Sequence, residues 1–265
     1  MVKALMGKTF GVAALLAMTV VLAGCSLFSG KDDNATYVEQ PVDQLYNRAL
    51  DDLGAEEYKR AAKEFEEVDR QHPYSVWATK AQVMAAFTYY QSNKYDEALI
   101  ALDRFIQLHP GHKDIPYAYY LKALCFYEQI SDIGRDQGIT QKALDALAEV
   151  VKRFPESPYA RDTRLKVELT IDHLAGKEMA VGRYYQKQQQ YIGAINRYRV
   201  VIERYQTTTH VPEALHRLVE CYMALGVKSE AKEAAAVLGH NFPGSDWYAD
   251  SYFVLTGEDF RIDDK

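Results

Sequence analysis

From Asp43 onward, apolar and polar residues follow one another with helical spacing, and the pattern comes back on itself. The stretch is rich in Ala, Leu, Tyr, Glu, Lys and Arg, with Pro and Gly mostly at junctions, so it reads as helix after helix. Self-similarity sharpens that reading. An aromatic residue or His precedes Pro at His72-Pro73, His109-Pro110, Phe154-Pro155 and Phe242-Pro243, and Tyr205-Gln206 is a fifth such site without its proline. Twelve residues before the second position of each pair stands an alanine: Ala61, Ala98, Ala143, Ala194 and Ala231. Four residues after the alanine come Phe65, Leu102, Leu147, Tyr198 and Ala235, and seven after it come Val68, Phe105, Val150, Val201 and Leu238. Offsets of 0, 4, 7 and 11 share one helix face. Tyr58, Tyr95 and Tyr191 recur three residues before it. The alanine marks close approach of two helices. The proline ends the helix because it lacks an N–H and clashes with the turn before it.

A second amphipathic helix precedes each of these, at about residues 43–53, 77–91, 116–129, 157–174 and 211–225. The unit is therefore an antiparallel helix pair, used five times. Intervals between the alanines run 37, 45, 51 and 37 residues. The 45-residue interval holds ISDIGRDQGIT, residues 130–140, a loop inserted between the helices of the third pair. The 51-residue interval holds KEMAVGRYYQKQQQ, residues 177–190, which implies a first helix in the fourth pair that is longer, or interrupted near Gly176. After Pro243, DWYADSYFVL begins a sixth first-type helix without a partner, as the end of a stack requires. Ala61-x3-Phe65 followed by Pro73 resembles the second half of the tetratricopeptide repeat, although no Trp-x2-Leu-Gly marks a first half. The expected fold is all-α: a right-handed superhelical solenoid of about five tetratricopeptide-like repeats over residues 41–265, closed by a capping helix.

Cys125 and Cys221 occupy equivalent positions two repeats apart, where Thr88 and Thr170 stand in other repeats. Helix axes pack ~8–10 Å apart, so the two thiols are on the order of 20 Å from each other, and a disulfide needs Cα atoms within ~7 Å. Both cysteines read as small buried spacers.

The amino terminus follows another pattern. Lys3 and Lys8 stand ahead of an almost wholly apolar run from Phe10 to Ala23, with no acid before Cys25. That run is too short for a hydrocarbon core of ~30 Å, which takes ~20 residues. It describes a signal peptide over residues 1–24. Leu22-Ala23-Gly24-Cys25 resembles the bacterial lipobox, which implies cleavage before Cys25 and acylation of its thiol. Several acyl chains hold a protein to a bilayer almost permanently, at ~0.8 kcal/mol per buried methylene. Ser26 rather than Asp implies, by the enteric sorting rule, export to the outer membrane. Residues 25–40 then form a lipidated tether, SLFSGKDDNATYVEQ after the cysteine, reaching at most ~50 Å at ~3.3 Å per residue.

Loss of residues 1–24 removes two of 31 basic residues and leaves 29 against 37 acids. An acidic chain is a poor partner for nucleic acid. No G-x-S-x-G, H-E-x-x-H, G-x-G-x-x-G, Walker loop or CxxC is present. Pro110-Gly111 between His109 and His112 makes a turn rather than a ligand pair. The reading is of a non-enzyme without metal or cofactor. The remaining chemistry is surface: 20 tyrosines, with doublets at Tyr89-Tyr90, Tyr119-Tyr120 and Tyr184-Tyr185. Each is a core or boundary aromatic, or a contact residue in a groove.

The lipobox, the repeats and three stretches together carry a more specific resemblance. YDEALIALDRFIQLHP (95–110), PYAYYLKALCFYEQI (116–130) and VGRYYQKQQQYIGAINRY (181–198) are similar to the outer-membrane assembly lipoprotein family called BamD, YfiO or ComL. That resemblance implies a non-catalytic subunit of the β-barrel assembly machinery, on the periplasmic face of the outer membrane. Its implied partners are the periplasmic domain of the barrel insertase, small assembly lipoproteins and unfolded outer-membrane β-barrel substrates. Arg197, in the matching Asn196-Arg197, is the candidate insertase contact, with Tyr184 and Tyr185 nearby. Its alternative is an intramolecular ion pair with Glu203 or another acid. Tyr89, Tyr90 and Tyr119 are candidates for substrate in repeats one to three. The rival function is a periplasmic scaffold organising cell-wall enzymes.

Overall fold

The computed structural model describes residues 39–257. Signal peptide, lipobox and most of the tether, Cys25 included, lie outside the described residues. Eleven helices follow one another among those described. In chain order they are α1 (Val42–Gly54), α2 (Tyr58–Gln71), α3 (Val76–Gln91), α4 (Tyr95–Leu108), α5 (Ile115–Tyr127) and α6 (Gly138–Arg153). Then come α7 (Ala160–Lys187), α8 (Tyr191–Arg204), α9 (Val211–Ala224), α10 (Lys228–Asn241) and α11 (Asp246–Thr256). Each packs on its neighbours in sequence, and α11 lies against both α9 and α10. This is the expected solenoid of five hairpins with an unpaired helix at the end. None of these helices is long and apolar enough to cross a membrane.

The repeat alanines lie inside the stack. All five are fully buried, as are Phe65, Leu102, Leu147 and Tyr198 four residues on, and all five side chains seven residues on. Each second-type helix ends at His72, His109, Phe154, Tyr205 or Phe242, whose N–H donates to the carbonyl four residues back. Tyr205 closes its helix in the same way without a following proline. The two histidines therefore sit just past the last turn.

The turn inside a hairpin is equally regular. Glu56, Asn93, Gln189 and Gly226 stand five residues before the repeat alanine, and all four have φ between 58° and 76°. Each donates to the carbonyl three residues back, and the next residue donates to the carbonyl five back: Glu57 to Asp52, Lys94 to Tyr89, Gln190 to Tyr185, Val227 to Tyr222. That is a Schellman closure. The third repeat replaces it with residues 128–137, where Asp132 and Asp136 accept from the N–H groups of Gly134 and Gly138.

The fourth repeat decides an open point. α7 is one continuous helix of 28 residues that runs through Gly176 and Gly182. Gly182 is there for packing: a Cβ on it would lie 2.5 Å from the ring of Tyr198. Tyr198 is the largest fully buried side chain, and its hydroxyl donates to Gln186 Oε1 at 2.8 Å. Cys125 and Cys221 are buried and free, and burial pushes each thiol up to about 12. Equivalent Thr88 and Thr170 satisfy their hydroxyls on the carbonyls of Met84 and Lys166, both at 2.7 Å.

The cap is held by side chains. Ser245 Oγ accepts from Tyr248 N–H at the start of α11. Trp247 packs on His216 with centroids 5.3 Å apart, and His216 Nδ1 lies 2.9 Å from Ser251 Oγ. Burial alone would raise the Glu220 carboxyl. Hydrogen bonds from His216, Arg217 and Gln186 outweigh it and hold the group at about 2.

Candidate functional site: a cleft repeated along the stack

The Schellman turns place one side chain in the same spot each time. Tyr89, Tyr185 and Tyr222 stand nine residues before their repeat alanines, and each lends its carbonyl to close the turn. Each also lines a surface cleft. The facing wall comes from the second-type helix at offsets −1, +2, +3 and +6 from the alanine, one stripe beside the buried one. In α4 these are Glu97, Ile100, Ala101 and Arg104. In α8 they are Gly193, Asn196, Arg197 and Val200. In α10 they are Glu230, Glu233, Ala234 and Val237.

The first cleft, of about 230 Å³, lies between α2, α3 and α4 and is walled by Phe65 and Ala85. Much of its polar rim pairs internally. Tyr89 donates to Glu66 at 2.5 Å, Gln82 to Asp69 at 2.7 Å, and Arg104 meets the same aspartate at 3.2 Å. Burial, followed by that bond to Glu66, pushes the Tyr89 phenol well above its ordinary value, so it stays a neutral donor.

The second cleft, of about 300 Å³, joins Tyr185 to Gly193, Asn196, Arg197 and Val200. Gly193 is small where the other repeats carry Glu97 and Glu230, because a Cβ there would lie 3.3 Å from the Tyr185 ring. Arg197 Nη1 pairs with Glu178 of α7 at 3.1 Å. Glu203, the acid considered from sequence, pairs with Arg199 at 2.8 Å. The Arg197 side chain remains 43% exposed, and its planar guanidinium fork keeps donors for a second carboxylate.

Comparison with known proteins identifies the family. The family model described as outer membrane lipoprotein, YfiO, matches residues 38–238. The chain belongs to the YfiO family. It is 46% identical over 261 residues to "Outer membrane protein assembly factor BamD" of Caulobacter vibrioides, covering 98% of this chain and 85% of that protein. The protein of the same name from Rickettsia prowazekii is 46% identical over 243 residues, 92% and 95% of the two chains. That of Neisseria meningitidis serogroup A is 35% identical over 241 residues, 87% and 90%. Among solved structures, the TPR2AB domain of yeast Sti1, in complex with pHSP90, covers 81% of each chain at 11% identity and a TM-score of 0.43. That overlap carries no argument, and the fold rests on the helices themselves.

In this YfiO-family chain the fold treats the two groups of sequence candidates differently. Tyr185, Asn196 and Arg197 come together in one cleft, and Tyr184 stands at its edge, 63% exposed with its ring 6.0 Å from Tyr185. Tyr89, Tyr90 and Tyr119 do not line one cleft. Tyr90 packs on Tyr95 at 6.0 Å and points its hydroxyl at Glu128, 3.4 Å away. Tyr119 lines a separate cleft with Ile106, Pro110, Ile115, Phe154 and Arg153, whose guanidinium lies 5.1 Å from its ring centroid. Glu178, Gly193 and Val200 were not foreseen, nor was the cleft at Tyr222. The signal was available in the recurrence of Tyr nine residues before the alanine.

Proposed function

We propose that this chain is a non-catalytic scaffold subunit in the assembly of outer-membrane β-barrel proteins. Cys25 carries the lipid anchor, after removal of residues 1–24, and residues 25–40 tether the repeats to the periplasmic face of the outer membrane. The cleft of Tyr185, Asn196 and Arg197, with Tyr184 at its edge, docks an acidic group on the periplasmic domain of the barrel insertase. The stack also contacts small assembly lipoproteins. The Tyr89 cleft receives an unfolded barrel substrate, its apolar walls taking side chains of an extended segment.

The observation that supports this reading most is the meeting of Tyr185, Asn196 and Arg197 in one cleft, in a chain 46% identical to proteins named assembly factors. A scaffold for cell-wall enzymes is not favoured, because those relatives carry a different role in their name. The test is co-purification of an Arg197→Glu chain with the insertase from solubilised outer membranes. Loss of the insertase at unchanged abundance is expected; full retention at normal abundance overturns the assignment. In-cell cross-linking that captures a cell-wall synthase as chief partner would favour the rival. Mass spectrometry of the mature amino terminus checks Cys25, with an acylated cysteine as the expected first residue.

A further inference from the structure

The third cleft belongs to neither assignment. It lies between α8, α9 and α10, holds about 230 Å³, and is floored by Leu215, Leu218 and Tyr222 with Ile202 and Val237 on its walls. Val237 is 44% exposed there, an apolar side chain left open beside an apolar floor. The rim is acidic. Glu203 is neutralised by Arg199 at 2.8 Å, but Glu230 and Glu233 have no basic partner among the described residues. We propose that this cleft docks a partner segment in which apolar side chains alternate with lysine or arginine.

Two observations point to that chemistry. First, the rim charge is opposite in sign to that of the neighbouring cleft. The stripe on α8 presents Arg197 and no acid, whereas the same stripe on α10 presents Glu230 and Glu233 and no base. Complementary charge selects partners and repels wrong ones, so the two clefts take segments of opposite charge. Second, an extended segment sends alternate side chains to opposite faces. Apolar residues can then enter the floor while basic neighbours reach the carboxylates of Glu233 and of Glu230, the latter already accepting from Ser229 Oγ.

The test uses the detergent-solubilised full chain and fluorescence anisotropy of short labelled peptides. One peptide alternates Leu with Lys, a second Leu with Glu, and a third Ser with Lys. The Leu/Lys peptide is expected to bind at least about tenfold more tightly than the other two. The double variant Glu230→Lys/Glu233→Lys, both positions exposed, weakens that peptide by about tenfold and leaves the melting curve unchanged. Glu97→Lys at the first cleft leaves its affinity unchanged. Equal binding of the Ser/Lys peptide overturns the proposal, because charge alone would then explain it. Undiminished binding to the double variant, or a loss seen with Glu97→Lys instead, also overturns it.

Discussion

The clefts at Tyr89 and Tyr185 occupy the same repeat positions and behave in opposite ways. Both are built by a Schellman turn that fixes the tyrosine and by a stripe one step round from the repeat alanine. At Tyr89 much of the polar rim is spent internally, on Glu66, Asp69, Gln82 and Arg104. At Tyr185 a half-exposed arginine stands over the cleft with a single carboxylate beside it. The difference teaches that packing sets the frame of the repeat, while the rim is free to change from one repeat to the next. A solenoid can therefore carry several specificities on one backbone plan.

The most severe way to break the comparison is to remove the frame. Tyr198 is the fourth repeat's counterpart of Phe65 and is fully buried. Tyr198→Ala is expected to cost about 3–5 kcal/mol in chemical denaturation and to abolish insertase co-purification with it. Next in size is Gly182→Ala. Alanine gains ~1 kcal/mol of helix propensity, but its Cβ would sit 2.5 Å from the buried Tyr198 ring, and overpacking costs ~1–3 kcal/mol. A net loss of about 1 kcal/mol is expected. Gly176→Ala in the same helix meets His210 Nε2 at 3.3 Å and is expected to cost less. If both variants melt alike, the close approach at Gly182 is not what requires glycine there.

Acid sharpens the same comparison at the carboxy-terminal end. Glu220 is held at about 2 in the folded chain, below an ordinary glutamate near ~4.3. A depressed carboxyl stabilises the fold above its unfolded value, and that stabilisation is lost as pH falls through the folded one. Glu220→Gln is therefore expected to destabilise at neutral pH, with the gap narrowing below about pH 4 and closing near pH 2, followed by denaturant midpoints. Smallest is Gln189→Gly, which relieves a non-glycine residue at φ 61°. It is expected to stabilise by about 0.5 kcal/mol in the same assay.

Much of the fold was legible in the residues. The buried stripe at Ala61, Phe65 and Val68 and its four copies is as expected, because core positions at helical spacing show directly in side-chain type. Cys125 and Cys221 are the buried spacers that equivalence with threonine suggested. The candidate site was legible only in part. Arg197 and Tyr185 were marked, but Glu178 was not, because it lies 19 residues away on a helix whose length was left open. Tyr90 and Tyr119 were grouped with Tyr89, and the three do not line one cleft. Adjacent residues on a helix point about 100° apart, and only the packed neighbours decide what each ring meets.

By itself the sequence determined the repeat, its period, its insertions and the stripe that packs, since these follow from which side chains leave water along a helix. The tertiary structure alone decided that α7 runs unbroken, that Arg197 pairs with Glu178 rather than Glu203, and that three tyrosines share one cleft design. Those depend on distances between different helices, where tenths of an ångström separate a contact from a clash, and such distances are not written in periodicity.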